Sequence, residues 1–596
     1  MTGVDITQTG RFLSVETVLG EDKLILTAFE GEERLSRPFL YRLEMASADD
    51  AIAAERILGT KVTIHIARDG GEPRCFNGIV KRFAAGPMWN RDYRCYYAEV
   101  VPWLWFLTRR VDCRIFEKLS TLDIIKKVFQ EHGSGRFETV GSISTPEREY
   151  CVQYRESDFD FVSRLLEEEG IFYFFKHKPN EHTLVLANAR SAYVKCEDGE
   201  AVQFGQHVST WRSSFEFLSG RWEQQDYDYE KSAIVKAMTN TLLKTPDAQK
   251  YPIFDYPGGF IDSTRGAALT KIRMEEEEAG YAVSEGRGIV RAFSPGVKFT
   301  LKNDETESEN GSYVITSVRH VASDRTHFAG DGSPPQYHND FTCIPESVTY
   351  RPPRVTPKPV VRGPQTAIVT DGPENSNYND KYGRVRVKFH WSSERGSPDR
   401  DRQSCWLRVA QLWAGRKWGA FFLPRIDMEV IVDFLEGDPD RPIVVGCVYN
   451  GDKLPPYPSN KAQSGIKTRS WGGGEADFNE LRFGDEKGKE HIYFHAQKDF
   501  ERVVENDDSL EVSGNQTAKI KKNQTVTVEQ KSSLEAKNSI ELKVGQNSIT
   551  IDQSGITLKG MMIKVEAQNL AEVKGVMVQV NGTGQLVLKG ALTMIN

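Results

Sequence analysis

Two histidines four positions apart, His491 and His495, have the spacing of paired metal ligands. On a helix, i and i+4 imidazoles share one face and can hold a zinc ion. The run HIYFH is rich in aromatic and β-branched residues and reads as a strand, which places the two rings about 13 Å apart at ~3.3 Å per residue. They cannot share an ion, so the remaining metal arrangement is an axial one with a histidine from each of three copies. Gly484 to Lys489 reads GDEKGK, one residue short of a phosphate loop and without its Ser or Thr, and so reads as a hairpin turn. GxSxG, HExxH and GxGxxG are absent. The acidic runs LLEEE and MEEEE at two helix ends are expected to be solvated faces, not catalytic pairs. No catalytic, cofactor-binding or metal residue is expected from these patterns.

A second constellation is cationic. Arg384, Arg386 and Lys388 lie near Trp391, Trp406 and Trp413, the mixture of cations and stacking rings that lines single-stranded nucleic-acid grooves. Strict alternation in GRVRVKFHW puts Val385, Val387, Phe389 and Trp391 on the face opposite the cations, so Trp391 belongs to a core. The chain has 77 Lys plus Arg against 84 Asp plus Glu, a net charge of -7 that supplies no steering toward a polyanion. Nucleic acid is therefore not an expected partner. The sequons at Asn310, Asn515, Asn523 and Asn581 matter only in a eukaryotic secretory chain.

The elements that would position such groups fall into three segments of a 596-residue chain, too long for one domain. The longest strongly apolar stretch, Val100 to Leu107, is far shorter than the roughly twenty residues that span a bilayer. MTGVDITQTG has no basic or apolar leader pattern, so a general secretory signal is not expected. Eight cysteines without a CxxC pair read as reduced core thiols. Residues 1–352 mix alternating strands with helices: STLDIIKKVFQEHG from Ser120 to Gly133, a second from Ser157 to Gly170 and a third from Ser263 to Gly280. The last two each run through Glu-rich ends into an aromatic strand, which suggests two related subdomains. Residues 353–364 are proline-rich and extended. Residues 365–452 hold short strands separated by turns, the pattern of a five-stranded oligonucleotide/oligosaccharide-binding (OB) barrel. A second linker, 453–463, leads to 464–596.

That last segment is repetitive, most clearly from about residue 509. Apolar pairs two residues apart recur at Ala518/Ile520, Val526/Val528, Leu534/Ala536, Leu542/Val544, Ile549/Ile551, Ile556/Leu558 and Ile563/Val565, at spacings of eight and then seven. GNQT at 514 returns as KNQT at 522. Units this short form one side of a β-helix, with one short strand each, and bury too little alone. Three wrapped chains would cover the stripe, so Val526, Val528, Leu534, Leu542, Val544, Ile549, Ile551, Ile556, Leu558, Ile563 and Val565 are the expected trimer core. From Gly575 to Asn596 the only charged residue is Lys589. The apolar end, with Leu588, Lys589, Leu592, Met594, Ile595 and Asn596, is the expected docking surface for a partner protein.

Four blocks carry a family likeness: Tyr150 to Phe175 (YCVQYRESDFDFVSRLLEEEGIFYFF), Lys381 to Trp391 (KYGRVRVKFHW), Arg402 to Gly451 (RQSCWLRVAQLWAGRKWGAFFLPRIDMEVIVDFLEGDPDRPIVVGCVYNG) and Phe478 to Asp499 (FNELRFGDEKGKEHIYFHAQKD). Together they resemble the VgrG family, the spike of bacterial type VI secretion systems. The resemblance implies a mixed fold: an α+β base like a phage tail hub with β-barrel subdomains, an OB-type neck, and a triple-stranded β-helical needle formed by a homotrimer. It implies a base seated on a tube of Hcp rings, a PAAR-repeat protein on the needle tip, and effectors, with or without adaptors, as cargo. A protein of this kind waits in the bacterial cytoplasm and leaves by type VI secretion without a signal peptide. Some relatives continue into a toxic enzyme, and spikes of phage carry a lysozyme insertion; the needle pattern running to Asn596 and the short stretch from Gly451 to Ser464 lead to the expectation of a structural carrier, no enzyme and no cofactor. A phage-derived tail spike, or a spike-linked hydrolase with its site in the first 350 residues, are the alternatives.

Overall fold

The computed structural model describes residues 6–595 except 69, 90, 134, 304, 327, 329–333, 371–378 and 393–403. It divides into two compact units: Met1–Lys467 with Leu481–Tyr493, and Thr468–Glu480 with Phe494–Asn596.

The first unit is organised by one large antiparallel sheet. Strands β1 (Leu13–Glu16), β2 (Ile25–Arg34), β3 (Arg37–Ser47), β4 (Lys61–Arg68), β5 (Gly71–Met88) and β6 (Arg94–Val101) are ordered β1-β4-β5-β6-β3-β2. The sheet continues from β2 into Gly311–Ser323, Gln336–Pro345, Ala282–Gly288 and Val208–Phe215. Alternation along these strands sends one set of side chains inward, and two cores result. One holds Phe29, Phe39, Tyr41, Ile64, Phe76 and Tyr96; the other holds Phe293, Phe299, Tyr313 and Phe341.

Among the described residues, three α-helices lie in this unit. α1 (Thr121–His132) starts at Ser120, whose hydroxyl accepts the Asp123 N–H, and stops at Gly133 with φ 75°. α2 (Asp158–Glu168) starts in the same way at Ser157, which accepts from Asp160. α3 (Ser263–Glu278) is capped by Asp262, one residue earlier than its pattern suggests. Apolar residues of α1 and α2, among them Ile124, Phe129, Phe161 and Leu165, complete the first core.

The acidic helix ends are not the solvated faces expected from sequence. Glu167 and Glu169 are buried. Glu169 pairs with Arg148 at 2.9 Å and takes a two-pronged contact from Arg265 of α3 at 2.7 and 2.9 Å. Glu168 pairs with Arg148 at 2.8 Å, and Arg273 of α3 donates to the carbonyl oxygens of Glu167 and Glu168. An arginine on the last carbonyls of α2 offsets the unfavourable placement of carboxylates at a helix C-terminus. In α3, Glu275 pairs with Arg351 at 2.7 Å and Glu276 with Arg273 at 2.8 Å.

The proline-rich stretch after Tyr350 is irregular backbone tied down along its length. Thr356 bonds Glu167 through both its N–H and its hydroxyl, and Lys358 pairs with Asp438 and Asp440 at 2.7 and 2.8 Å. It leads to a four-stranded antiparallel sheet ordered Arg386–Phe389, Gln365–Thr370, Glu429–Phe434, Pro442–Val448. Single bridges from Val385 to Leu407 and Val409 to Val444 bring in the next segment. Val369, Val385, Val387, Phe389, Leu407, Val430, Val432 and Val444 form its core, which also receives Ile115, Tyr150 and Val152 from the ribbon Val111–Ser120/Glu147–Ser157. The two parts of the unit therefore share buried apolar surface.

In the second unit Ser539–Val544, Asn547–Asp552 and Gly555–Lys559 form an antiparallel meander. Glu501–Asn538 and Gly560–Ile595 contain no strand within this chain.

Candidate assembly surfaces

The repeat does not continue as uniform single strands. Gly545 (φ 59°) and Gly555 (φ 138°) turn the chain back twice, and the second turn is closed by Asp552, which accepts the Ser554 N–H at 2.8 Å. Both conformations are ones L side chains rarely adopt, which is why glycine stands there. Register pairs Leu542 with Ile549 and Ile549 with Leu558, and Ile540 with Ile551 and Ile551 with Ile556. Opposed residues share a face, so seven aliphatic side chains, Val544 included, lie on one side, and Glu541, Thr550 and Thr557 lie on the other. Ile540 is a member of this face that the pairwise repeat overlooked.

None of the described residues covers the face fully. The proposed core residues Val526, Val528, Leu534, Leu542, Val544, Ile549, Ile551, Ile556, Leu558, Ile563 and Val565 are 41–79% exposed. Leu588, Leu592, Met594 and Ile595 at the end are 62–81% exposed, and Lys589 is exposed as well. Asn596 lies outside the described residues. His491–His495 is a strand, with His491 and His495 donating from Nδ1 to the carbonyl oxygens of Lys489 (3.2 Å) and Phe478 (3.0 Å).

The neck presents a second uncovered apolar surface. Ala414–Gly415 and Trp418–Gly419 form a small hairpin on which Trp413 and Trp418 meet edge-on at 4.8 Å, flanked by exposed Leu412, Phe421 and Phe422. The sequence signal was the unalternating run LWAGRKWGAFF, which cannot hide all its rings on one side of a strand. Two of the three cationic residues here are already engaged. Arg384 pairs with Asp380 at 2.7 Å and lies over Tyr229 and Tyr382; Arg386 lies over Trp406; Trp391 stacks on Phe389 at 5.0 Å beside the neck core. No stacking groove is assembled by these residues.

The base holds polar groups deep in its core. Glu33 is buried with Tyr41 donating to it, His177 Nε2 at 3.2 Å and His320 Nε2 at 3.7 Å. Burial favours its neutral form, but the neighbouring His177 and His320 rings outweigh that and hold the carboxyl well below its usual range. His182 accepts the Trp103 N–H on Nε2 (3.0 Å) and donates from Nδ1 to Asn77 (2.9 Å). Its neutral form satisfies both partners, and burial, helped by His177 and Lys61, pushes its pKa down to about 3. The cysteines are free thiols; four are buried, three half-buried, and Cys447 is exposed, so the expectation of core thiols fails there.

Comparison with known proteins follows these parts of the chain. Residues 32–326 match the model of the phage tail baseplate hub, 365–449 that of the type VI secretion system/phage-baseplate injector OB domain, and 464–577 that of the bacteriophage T4 gp5 C-terminal trimerisation domain. The type VI secretion system spike protein VgrG1a of Pseudomonas aeruginosa is 39% identical over 520 residues, covering 85% of this chain and 80% of the relative. VgrG1b of the same organism is 39% identical over 528 residues, 86% of this chain and 71% of the relative. The actin cross-linking toxin VgrG1 of Vibrio cholerae is 33% identical over 564 residues, 90% of this chain but 50% of the toxin. Among solved structures, an Escherichia coli type VI secretion component described as similar to the T4 tail proteins gp27 and gp5 superposes with TM-score 0.54 at 23% identity, over 74% of this chain and all of that one. A VgrG structure in complex with PdpA gives TM-score 0.54 at 10% identity, over 92% and 97%. With a hub, an OB neck and a trimerisation segment in that order, and with such relatives, the chain belongs to the VgrG family of type VI secretion system spike proteins.

Proposed function

We propose that this chain acts as a homotrimeric structural spike without catalysis of its own: the base, 1–352, caps an Hcp tube, the neck, 365–452, joins it to a needle, 464–596, and the needle carries a PAAR-repeat tip and effector cargo through a target envelope. The observation that carries this reading is the uncovered apolar stripe of the second unit. In an intertwined prism the stripe faces its two counterparts, and backbone groups unpaired within one chain find ladder partners on the others. Such a prism cannot shed one strand at a time, which suits a part driven point-first. Among the described residues no helix is long and apolar enough to cross a membrane, and no group of three or more His, Cys, Asp or Glu is placed to hold a metal ion. The spike waits in the bacterial cytoplasm and leaves with the firing machine.

The tip assignment rests on Leu588, Lys589, Leu592, Met594, Ile595 and Asn596. Leu588, Leu592, Met594 and Ile595 leave contiguous apolar surface of the kind a partner covers. Deleting Ala591–Asn596 is expected to leave a trimer while abolishing capture of a PAAR-repeat protein and export of its cargo. Full capture and export by the truncated trimer would move the docking site to the neck or base.

A further inference from the structure

Three side chains on the outer face of the sheet edge β1-β4-β5 form a nucleophile, a base and an orienting acid. His65 on β4 stands directly opposite Cys75 on β5, and Glu16 on β1 stands opposite Thr63, two residues from His65 on the same face. Cys75 Sγ is 3.3 Å from His65 Nδ1, and His65 Nε2 is 3.0 Å from Glu16 Oε1. A carboxylate only accepts, so Nε2 carries the ring proton and Nδ1 presents its lone pair to the thiol. The nearest competing acceptor for the S–H, the Pro73 carbonyl oxygen, is farther away at 3.6 Å.

The surroundings leave this cluster accessible. The opposite face of the same strands, with Ile64, Ile66 and Phe76, belongs to the core. On the outer face, the turn at Asn180 covers Thr63, to whose hydroxyl its N–H donates at 3.1 Å. Beyond that cover Cys75 is half-buried, and the His65 and Glu16 side chains are 15% and 57% exposed.

We propose that Cys75 is a base-assisted reactive thiol, a site at which small disulfides such as glutathione disulfide thiolate the base of the spike. In the step, Cys75 Sγ attacks one sulfur of the disulfide as its proton passes to His65 Nδ1. A new S–S bond forms and the old one breaks. The departing thiolate takes the proton from His65 and leaves as a thiol, so that Cys75 is oxidised to a mixed disulfide and the reagent's other half is reduced. Glu16 positions the ring and stabilises the transient imidazolium. Partial burial raises the thiol above its ordinary range, so no standing thiolate waits at neutral pH, and the base is required at the moment of attack.

The test uses the full-length protein in its native assembly, reacted with glutathione disulfide and with the chromogenic disulfide dithiodipyridine, with each cysteine followed by peptide mass mapping. Cys447 is the internal reference because it is more exposed. Cys75 is expected to react at least about tenfold faster than Cys447, and His65→Gln to slow Cys75 by at least about tenfold while leaving Cys447 unchanged, a floor set below the ~10²–10⁴-fold that general bases contribute. His65→Ala is expected to lose the same reactivity and to regain it with added imidazole, a recovery that a purely structural role for His65 does not give. Equal rates at Cys75 and Cys447, no effect of His65→Gln, or no recovery with imidazole would each overturn the proposal.

Discussion

Replacing Ile549 with aspartate tests the needle at its most informative point. Ile549 lies on the middle strand of the meander, between Leu542 and Leu558, and 41% of it is uncovered in one chain. Full burial of an aliphatic side chain contributes ~1.5–3 kcal/mol, so covering the remainder contributes about 1 kcal/mol per chain. An aspartate there also meets an apolar surface, at a further cost of about 1–3 kcal/mol once it is neutralised or partly hydrated. Three symmetry copies bring the loss to roughly 6 kcal/mol or more per trimer. Because dissociation releases three chains, the half-dissociation concentration rises by about two decades. Thr557→Asp, on the polar face of the same meander, is the matched control. Size-exclusion chromatography with light scattering across a dilution series reads both. Ile549→Asp that stays trimeric at the dilution where wild type does, or Thr557→Asp that dissociates equally, would refute the inward placement of the aliphatic face.

Two further expectations concern the base. His182 holds off its proton until about pH 3 when folded and takes one near pH 6.5 when unfolded, so its contribution is intact above about 6.5 and falls as pH drops through the interval. Urea unfolding at pH 4.5 should therefore show the base about 2–3 kcal/mol less stable than at pH 7, and a flat profile across that window would contradict the buried neutral His182 ring. Arg164 clasps Glu156 with contacts of 2.8 and 2.9 Å, both side chains almost wholly buried, so Arg164→Met should destabilise by about 3–5 kcal/mol, and adding Glu156→Gln should recover much of it. An unchanged urea midpoint for the single variant would refute the pairing.

Features set by neighbours in the chain were legible in the sequence. Ser120 and Ser157 announce their helices because an N-cap is a three-residue event, and the alternation from Val385 to Phe389 announces a strand because side chains alternate every residue. The acidic helix ends were misread because what neutralises them is distant: Arg265 lies 96 residues from Glu169, and the Arg351 partner of Glu275 is 76 residues away. The meander was half visible. The repeat shortens from eight to seven at Leu542, where the glycine turns begin, but both spacings satisfy a pairwise apolar pattern, so periodicity alone did not distinguish a strand that proceeds from one that folds back. The Cys75–His65–Glu16 cluster had no motif because its members come from three strands paired in the order β1-β4-β5.

The two units obtain stability from different sources, and that difference constrains how the protein is made. The first unit carries its own cores, and helices, linker and neck are joined by ion pairs and shared apolar surface, so an axial push on the base reaches the neck through packed contacts and not through a loose tether. The second unit leaves its aliphatic stripe in water until other copies arrive. An exposed apolar stripe beside unpaired backbone invites off-pathway pairing. The stripe is therefore expected to be covered as three chains meet, which makes pairing of the needles the step that closes the trimer, in line with the dissociation expected of Ile549→Asp.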